Sequence, residues 1–359
     1  MVKKIGKLLF QKSLLLSWAA VFTFVLSRLL AAFPTLTEQL YSQGLYPFLA
    51  AVLSSFSRHI PFSVGDVFYA FLLMSFLILV FSVVMKKTGL KEACMLLVNS
   101  LSVCFVLFYW LWGFNYFRKD FNARFGIPGA SPDKMELLTA LGELVNATNT
   151  SYLPVYSIDR LAVDSIIENS YQKHAGELKI SYPSGSRYPK HITCGSFFAK
   201  AMISGYYGPF FSEVHVNRLV LPIEYPMVLA HEKAHQFGIT SEAEASFFAW
   251  FVCTQSGDRQ AAYSANLYIL RYFINEASRL EETREIVNNL KKEVRQDYAK
   301  IRDHWMALRN EKIDEVAGKV NDAYLKANKV ERGIEDYSGV VKLVMDHREV
   351  KKETDLPRK

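Results

Sequence analysis

The residues of this chain best suited to chemistry are two histidines that stand four positions apart. They belong to the stretch His231-Glu232-Lys233-Ala234-His235, which reads HEKAH. On a helix such histidines share one face, so both imidazoles can bind one metal ion. Glu232 directly follows the first histidine, where its carboxylate can reach a water molecule that the metal activates. The HExxH spacing therefore predicts a Zn²⁺ site with Glu232 as the general base.

A catalytic zinc site also needs a third protein ligand, and two acidic residues follow closely. Pro226 can begin the HEKAH helix, and Gly238 can end it in a left-handed turn that reverses the chain. Ser241 is suited to cap a second helix, whose first turn carries Glu242 and Glu244. Either carboxylate can point back at the histidines. Each also has a structural alternative, a favourable first-turn charge for Glu242 and a capping box for Glu244.

The string EAEAS that starts at Glu242 is similar to the E-x-E-A-[D/N] string that follows HExxH in gluzincin metallopeptidases. This resemblance implies Glu242 as the third zinc ligand, ahead of Glu244. It also implies Ser246 as the residue that supports a zinc-binding histidine, where those families have Asp or Asn. A serine hydroxyl can hydrogen-bond an imidazole but lacks the charge of a carboxylate, so its support is weaker. The spacer after His235 is shorter than in most gluzincins.

A nearer resemblance covers almost the whole chain. The tracts 205–213 (GYYGPFFSE), 324–328 (YLKAN) and 333–337 (GIEDY) stand around HExxHQxG and the EAEAS string. Together they resemble an uncharacterised family of bacterial membrane-associated HExxH proteins, the domain of unknown function 3810. The resemblance implies N-terminal membrane helices and a gluzincin-like site, and it implies no particular substrate.

The N-terminal part is predicted to cross a membrane three times. Apolar runs cover about residues 13–33, 67–85 and 93–114, and each is long enough for a spanning helix. The first run is too long for a signal peptide, and no clear cleavage site follows it. Lysines precede the first span and separate the second from the third, which places both positions on the cytoplasmic side. We therefore expect a multi-pass protein of the bacterial cytoplasmic membrane, with a cytoplasmic N-terminus. Residues 35–66 are expected to hold a short amphipathic segment.

Residues 115–350 are predicted to form one extracytoplasmic, mainly helical, zincin-like domain, and residues 351–359 a disordered tail. The alternation in residues 211–217 predicts a half-buried edge strand beside the metal helix. Glu213, His215 and Asn217 share one face of it. There they can line a substrate cleft, or they can simply form the solvent face of the strand.

Three further residues carry alternatives. Tyr337 can stabilise a tetrahedral oxyanion through its phenol, or it can be a packed tyrosine. Cys194 and Cys253 can form a disulfide in an oxidising compartment, or Cys253 can remain a free buried thiol. The net charge of +7 is spread along the chain without a nucleic-acid motif. The expected partners are therefore the lipid bilayer and a peptide or protein substrate, with no nucleic acid.

The sequence thus predicts a membrane-anchored zinc metallopeptidase that hydrolyses peptide bonds outside the cytoplasmic membrane. A catalytically silent, metal-stabilised module that binds a cell-envelope partner is the alternative. Intramembrane proteolysis is disfavoured, because Lys233 and Gln236 make the HEKAH stretch too polar for a membrane helix.

Overall fold

The computed structural model of this chain describes residues 14–127, 129, 133–185, 187–328, 330, 333 and 339–355. Within these ranges the chain is mainly helical, with one small sheet. The helices of the N-terminal part are α1 (Leu15–Ala32), α2 (Pro34–Leu36), a π-helix (Thr37–Leu45), α3 (Tyr46–Ser57), α4 (Val64–Val84), α5 (Leu90–Leu111), a 3-10 helix (Gly113–Phe117) and α6 (Phe121–Phe125).

The remainder contains ten more α-helices and the strands of the sheet within the described residues. The helices are α7 (Lys134–Ser151), α8 (Arg160–His174), α9 (Gly195–Ala199), α10 (Tyr225–Gln236), α11 (Glu242–Gln255), α12 (Arg259–Glu276), α13 (Glu282–Asn288), α14 (Lys292–Leu308), α15 (Glu311–Ala327) and α16 (Val340–Asp355), with a 3-10 turn at Ala277–Arg279. The strands are β1 (Lys190–His191), β2 (Gly205–Gly208) and β3 (Glu213–Val216). Helix α16 continues past the predicted start of the tail at residue 351, and residues 356–359 lie outside the described ranges.

Among the described residues, three helices are long and apolar enough to cross a membrane, namely α1, α4 and α5. Their outward side chains are largely bare, with Phe71 66% and Val84 71% exposed. Apolar surface of this extent is far more than a soluble monomer leaves in water, so it indicates membrane association. The bounds of the three helices differ from the predicted spans by only a few residues.

The segment between α1 and α4 packs against the C-terminal part of the chain. In α3, Tyr46 is only 1% exposed and donates a hydrogen bond to the carbonyl of Gln236 in α10, at 2.7 Å. In the π-helix, Glu38 forms a buried ion pair with Arg118 at 2.7 Å. Contacts therefore cross the predicted boundary at residue 115, and the segment between α1 and α4 takes part in them.

A strand forms within the predicted stretch 211–217, namely β3, but its predicted position at the edge of the sheet is wrong. The strand order is β1-β3-β2, with β1 parallel and β2 antiparallel to β3, so β3 is the central strand. All four residues of β3 are buried. Alternation marks the side chains that face away from the apolar core, but it does not show whether water or another element covers them. Here the polar face of β3 is covered by the first turn of α4.

The helices α10, α11 and α12 form the centre of the largest core cluster. Every residue of α10 is buried, including the charged ones. Helix α11 packs between α10 and α12, and its N-cap is Ser241 as the sequence indicated, since the Ser241 hydroxyl accepts a hydrogen bond from the backbone N–H of Glu244 at 3.3 Å. The helix that carries HEKAH is therefore fixed on all sides by packing.

Candidate metal centre

Three predicted ligand side chains meet at one point. The Nε2 atoms of His231 and His235 lie 3.2 Å apart. Oε2 of Glu242 lies 3.0 Å from the first of these nitrogens and 3.4 Å from the second. Ligand atoms bound tetrahedrally to zinc at about 2.0–2.1 Å stand about 3.3 Å from one another. The two imidazoles and the carboxylate thus have both the chemistry and the spacing that zinc requires.

Local chain geometry explains why these side chains meet. Pro226 occupies the first turn of α10, where its missing N–H costs no hydrogen bond. Gly238 follows the helix with φ of +84°, a left-handed conformation that a side chain disfavours. The chain then turns back, and α11 begins at Glu242 after its Ser241 cap. The ligands of α10 and the first residue of α11 consequently face each other.

Each histidine ring is oriented through its other nitrogen. Nδ1 of His235 lies 2.7 Å from the carbonyl oxygen of Ile239, which can only accept, so Nδ1 donates its proton there. Nδ1 of His231 lies 3.2 Å from the hydroxyl of the buried Ser246. These contacts leave both Nε2 atoms directed at Glu242. Ser246 therefore occupies the supporting position that the family resemblance implied.

The three groups determine one another's charge. Burial raises the pKa of Glu242, but His235 and His231 outweigh it and hold that pKa well below its usual range. Burial lowers the pKa of His235, but the charge and hydrogen bond of Glu242 overcome this and raise it to about 9. For His231 burial prevails and its pKa is lowered. Without metal the cluster holds a carboxylate and an imidazolium, and a divalent cation would replace that imidazolium's proton.

Glu232 lies beside this cluster, against the edge strand β2. Burial raises the pKa of its carboxyl to about 8, an effect that the charge of His235 opposes and that of Glu242 increases. A Cβ atom added at Gly205 would stand only 2.8 Å from Oε1 of Glu232. Glycine at position 205 therefore permits β2 to approach the carboxylate closely. A carboxylate so close to β2 would be suited to act as a general base on a backbone bound beside that strand.

The alternative ligand Glu244 lies elsewhere. Its carboxylate forms a buried ion pair with Arg124 of α6. Burial and the charge of Arg118 lower the pKa of the Arg124 guanidinium. Among the described residues, the cluster positioned for one metal ion consists of His231, His235 and Glu242.

The predicted cleft residues do not line an open cleft. Glu213 accepts hydrogen bonds from Lys190 and from the backbone N–H of Gly65, the latter at 2.8 Å. His215 is bound to the hydroxyl of Ser63 at 2.8 Å, and the Asn217 amide donates to the carbonyls of Gly195 and Ile203. All three are at most 2% exposed. Neighbouring elements therefore cover all three side chains, which lie in the interior and not along an open cleft.

Tyr337 lies outside the described residues. Two other phenols lie near the site, and Tyr116 donates a hydrogen bond to the hydroxyl of Tyr324 at 3.1 Å. Burial, the neighbouring Tyr324 and the charge of Glu242 raise the pKa of Tyr116. For Tyr324, burial and the charge of Glu242 raise the pKa, although the hydrogen bond from Tyr116 opposes this. Both phenols therefore stay protonated. Sequence reasoning assigned no role to either. The dense aromatic run at residues 108–117 was the available signal for Tyr116.

The end of α10 is held by side chains from the membrane part. The indole Nε1 of Trp112 donates to the carbonyl of His235 at 3.0 Å, and Tyr46 donates to that of Gln236. Arg118 donates to the carbonyl of Gly238 at 3.0 Å. These bonds satisfy carbonyls that a helix end leaves without partners. The position of the candidate ligand His235 thus depends on Trp112 and Tyr46, which lie before the predicted domain boundary at residue 115.

Of the two alternatives for Cys194 and Cys253, a disulfide or free thiols, the structure shows free thiols. Cys194 is exposed and Cys253 is buried, and both thiols are free. Burial raises the pKa of the Cys253 thiol, which keeps it protonated and unreactive.

Fold and site define a class: a mainly helical, membrane-associated chain with two histidines and one glutamate clustered on consecutive helices. Residues 41–345 match the model of the family described as Protein of unknown function (DUF3810), and the chain belongs to this family. Searches among curated proteins and among solved structures found no match. The matched region begins in the π-helix and includes α4, α5 and the candidate site. The family model therefore covers two of the apolar helices together with the site.

Proposed function

We propose that this protein is a membrane-anchored zinc metallopeptidase that hydrolyses peptide bonds in peptides or proteins outside the cytoplasmic membrane. The observation that carries the proposal is the meeting of three ligand atoms at 3.0–3.4 Å with Glu232 beside them. The HExxH helix, the second helix with the third ligand and the adjacent small sheet support a zincin-like domain. Lysines at residues 3, 4 and 7 and at 86, 87 and 91 support a cytoplasmic N-terminus.

The side chains divide the reaction between them. His231, His235 and Glu242 would hold the zinc, which when bound supplies a Lewis acid for a water molecule and the scissile carbonyl. Glu232 accepts the proton of the attacking water and passes it to the leaving amine. Ser246 and the Ile239 carbonyl keep the two imidazoles in the required orientation.

Zinc content of the purified full chain tests the metal site. We expect near-stoichiometric zinc in the wild type and its loss in His235→Ala and Glu242→Ala, measured by elemental mass spectrometry. Glu244→Gln is the matched control, because it changes a first-turn acid of the same helix outside the cluster. Folded wild-type protein that takes up no zinc would overturn the proposal. The full chain is used because Tyr46 and Trp112 contact α10.

A metal-stabilised binding module is the second candidate function. It is favoured by the low exposure of the histidines, 9% for His231 and 7% for His235, which suits a closed structural site. Glu232→Gln separates the two functions. A peptidase loses turnover while its zinc and fold are retained, whereas a binding module keeps its partner.

A further inference from the structure

The metal cluster lies at the outer end of a membrane helix. Helix α5 ends at Leu111, and the next residue, Trp112, donates its indole hydrogen bond to the carbonyl of the ligand His235. One side chain and one hydrogen bond therefore separate a metal ligand from the end of the span. Helix α5 has 22 residues. At about 1.5 Å per residue, such a helix covers the roughly 30 Å hydrocarbon layer and little more.

A second membrane helix meets the site at the same level. The N-cap of α4, Ser63, contacts His215 of β3, and the first turn of α4 donates backbone hydrogen bonds to Glu213. In that same turn, Asp66 accepts a hydrogen bond from Tyr206 of β2 at 2.7 Å. The sheet is thus bound directly to the end of α4. Strand β2, which lies against Glu232, has no spacer that would lift it away from the bilayer.

The surroundings of the site have the composition of a membrane interface. Tyr69 of α4, Trp110 of α5 and Tyr324 of α15 are 42%, 36% and 40% exposed. Tyrosine and tryptophan with one apolar and one polar end are enriched at the level of the lipid headgroups. The aromatic residues and the two helix ends place the cluster and the β2 edge at that level.

We propose that the substrate is a polypeptide anchored in the same bilayer, cleaved in the extended segment next to the membrane surface. This inference rests on the proposed peptidase function. The β2 edge beside Glu232 would lie within the headgroup layer, where an anchored chain is held at high local concentration and a soluble folded protein is hindered. The anchor is either an apolar helix or an acyl chain, since both present the adjacent residues at the same depth.

Reconstitution with a ruler substrate tests the proposal. The full chain is placed in vesicles with a reporter whose anchor is followed by six copies of one identical flexible unit, and cuts are mapped by mass spectrometry. One reporter carries an apolar helix, a second an acyl chain, and a third no anchor. We expect the unit beside the membrane to be cut about tenfold more than the distal units in at least one of the two anchored reporters. The Glu232→Gln variant should cut none of the reporters.

The outcomes are distinguishable. Equal cutting of all units, or equal cutting of the unanchored reporter, would overturn the inference while leaving a Glu232-dependent peptidase in place. Absence of cleavage in every reporter by zinc-loaded protein would overturn the peptidase function as well.

Depth of the site is measured independently of activity. A fluorophore on Tyr324→Cys, in a chain without its native cysteines, is expected to be quenched by nitroxides on lipid headgroups. Quenching by soluble iodide alone would contradict the placement.

Discussion

At the scale of single residues, the two histidines of HEKAH differ in what orients them. His235 donates to a backbone carbonyl, while His231 contacts the neutral hydroxyl of Ser246. We expect Ser246→Ala to lower zinc affinity about tenfold, since loss of such a supporting contact costs 10–100-fold and a hydroxyl belongs at the lower end. Competition with a chelator measures this affinity. Unchanged affinity would show that packing alone orients His231.

Lys233, between the two histidines, serves the fold. Its buried ammonium contacts Asp164 at 2.8 Å and also Glu168, which in turn contacts Arg187. Burial raises the pKa of Glu168, but Lys233 and Arg187 outweigh it and lower that pKa below its ordinary value of 4.5. Asp164 differs, because burial prevails over Lys233 and its pKa is raised. Glu168 is therefore the carboxylate whose charge the network stabilises.

The pH dependence of stability follows from this lowered pKa. A carboxyl whose pKa is depressed on folding contributes stability above its unfolded pKa, and this contribution is lost as the pH falls through the folded value. Glu168→Gln should thus lower the melting temperature at pH 7, and the difference from wild type should shrink below about pH 4.5. Thermal unfolding at several pH values measures both. A difference independent of pH would assign the effect of Glu168 to its hydrogen bonds.

At the scale of elements, the reversal between α10 and α11 brings Glu242 to the histidines. Gly238 has a left-handed φ, and a Cβ there would lie 2.9 Å from the ring of Tyr46. Gly238→Ala should therefore destabilise the protein by more than about 1 kcal/mol and weaken zinc binding. Gly142, within α7, has free space around it, so Gly142→Ala is the control and should be neutral or stabilising. Equal effects of both would contradict this reading of the turn.

Elements defined by local signals were predictable. The three apolar spans, the cap at Ser241 and the end of α10 at Gly238 depend on residues within one or two turns of each other. The surroundings of β3 were not predictable from local signals. Nothing in the sequence near Glu213 and His215 shows that α4 covers them. The contact of Tyr46 with α10 joins residues 190 positions apart, and no periodicity reports such a contact.

At the scale of the whole molecule, membrane helices and metal site are one packed unit. Side chains of the N-terminal part fix the turn that follows α10. Arg118 binds both Glu38 of the π-helix and the carbonyl of Gly238 in this turn. A small buried cluster, in which Tyr41, Tyr46, Trp112 and Phe114 take part, lies beneath them. The candidate metal ligands consequently depend on residues before position 115.

Separation of the two parts should therefore damage the site. We expect residues 115–359 alone to bind zinc more weakly than the full chain, because Trp112 and Tyr46 no longer bond to α10 and buried aromatic surface becomes exposed. The comparison uses chelator competition and thermal unfolding. In the full chain, Trp112→Phe removes one hydrogen bond while it keeps most of the packing, and should cost about 1 kcal/mol. Equal affinity and stability of the fragment would show that the site is built by the C-terminal part alone.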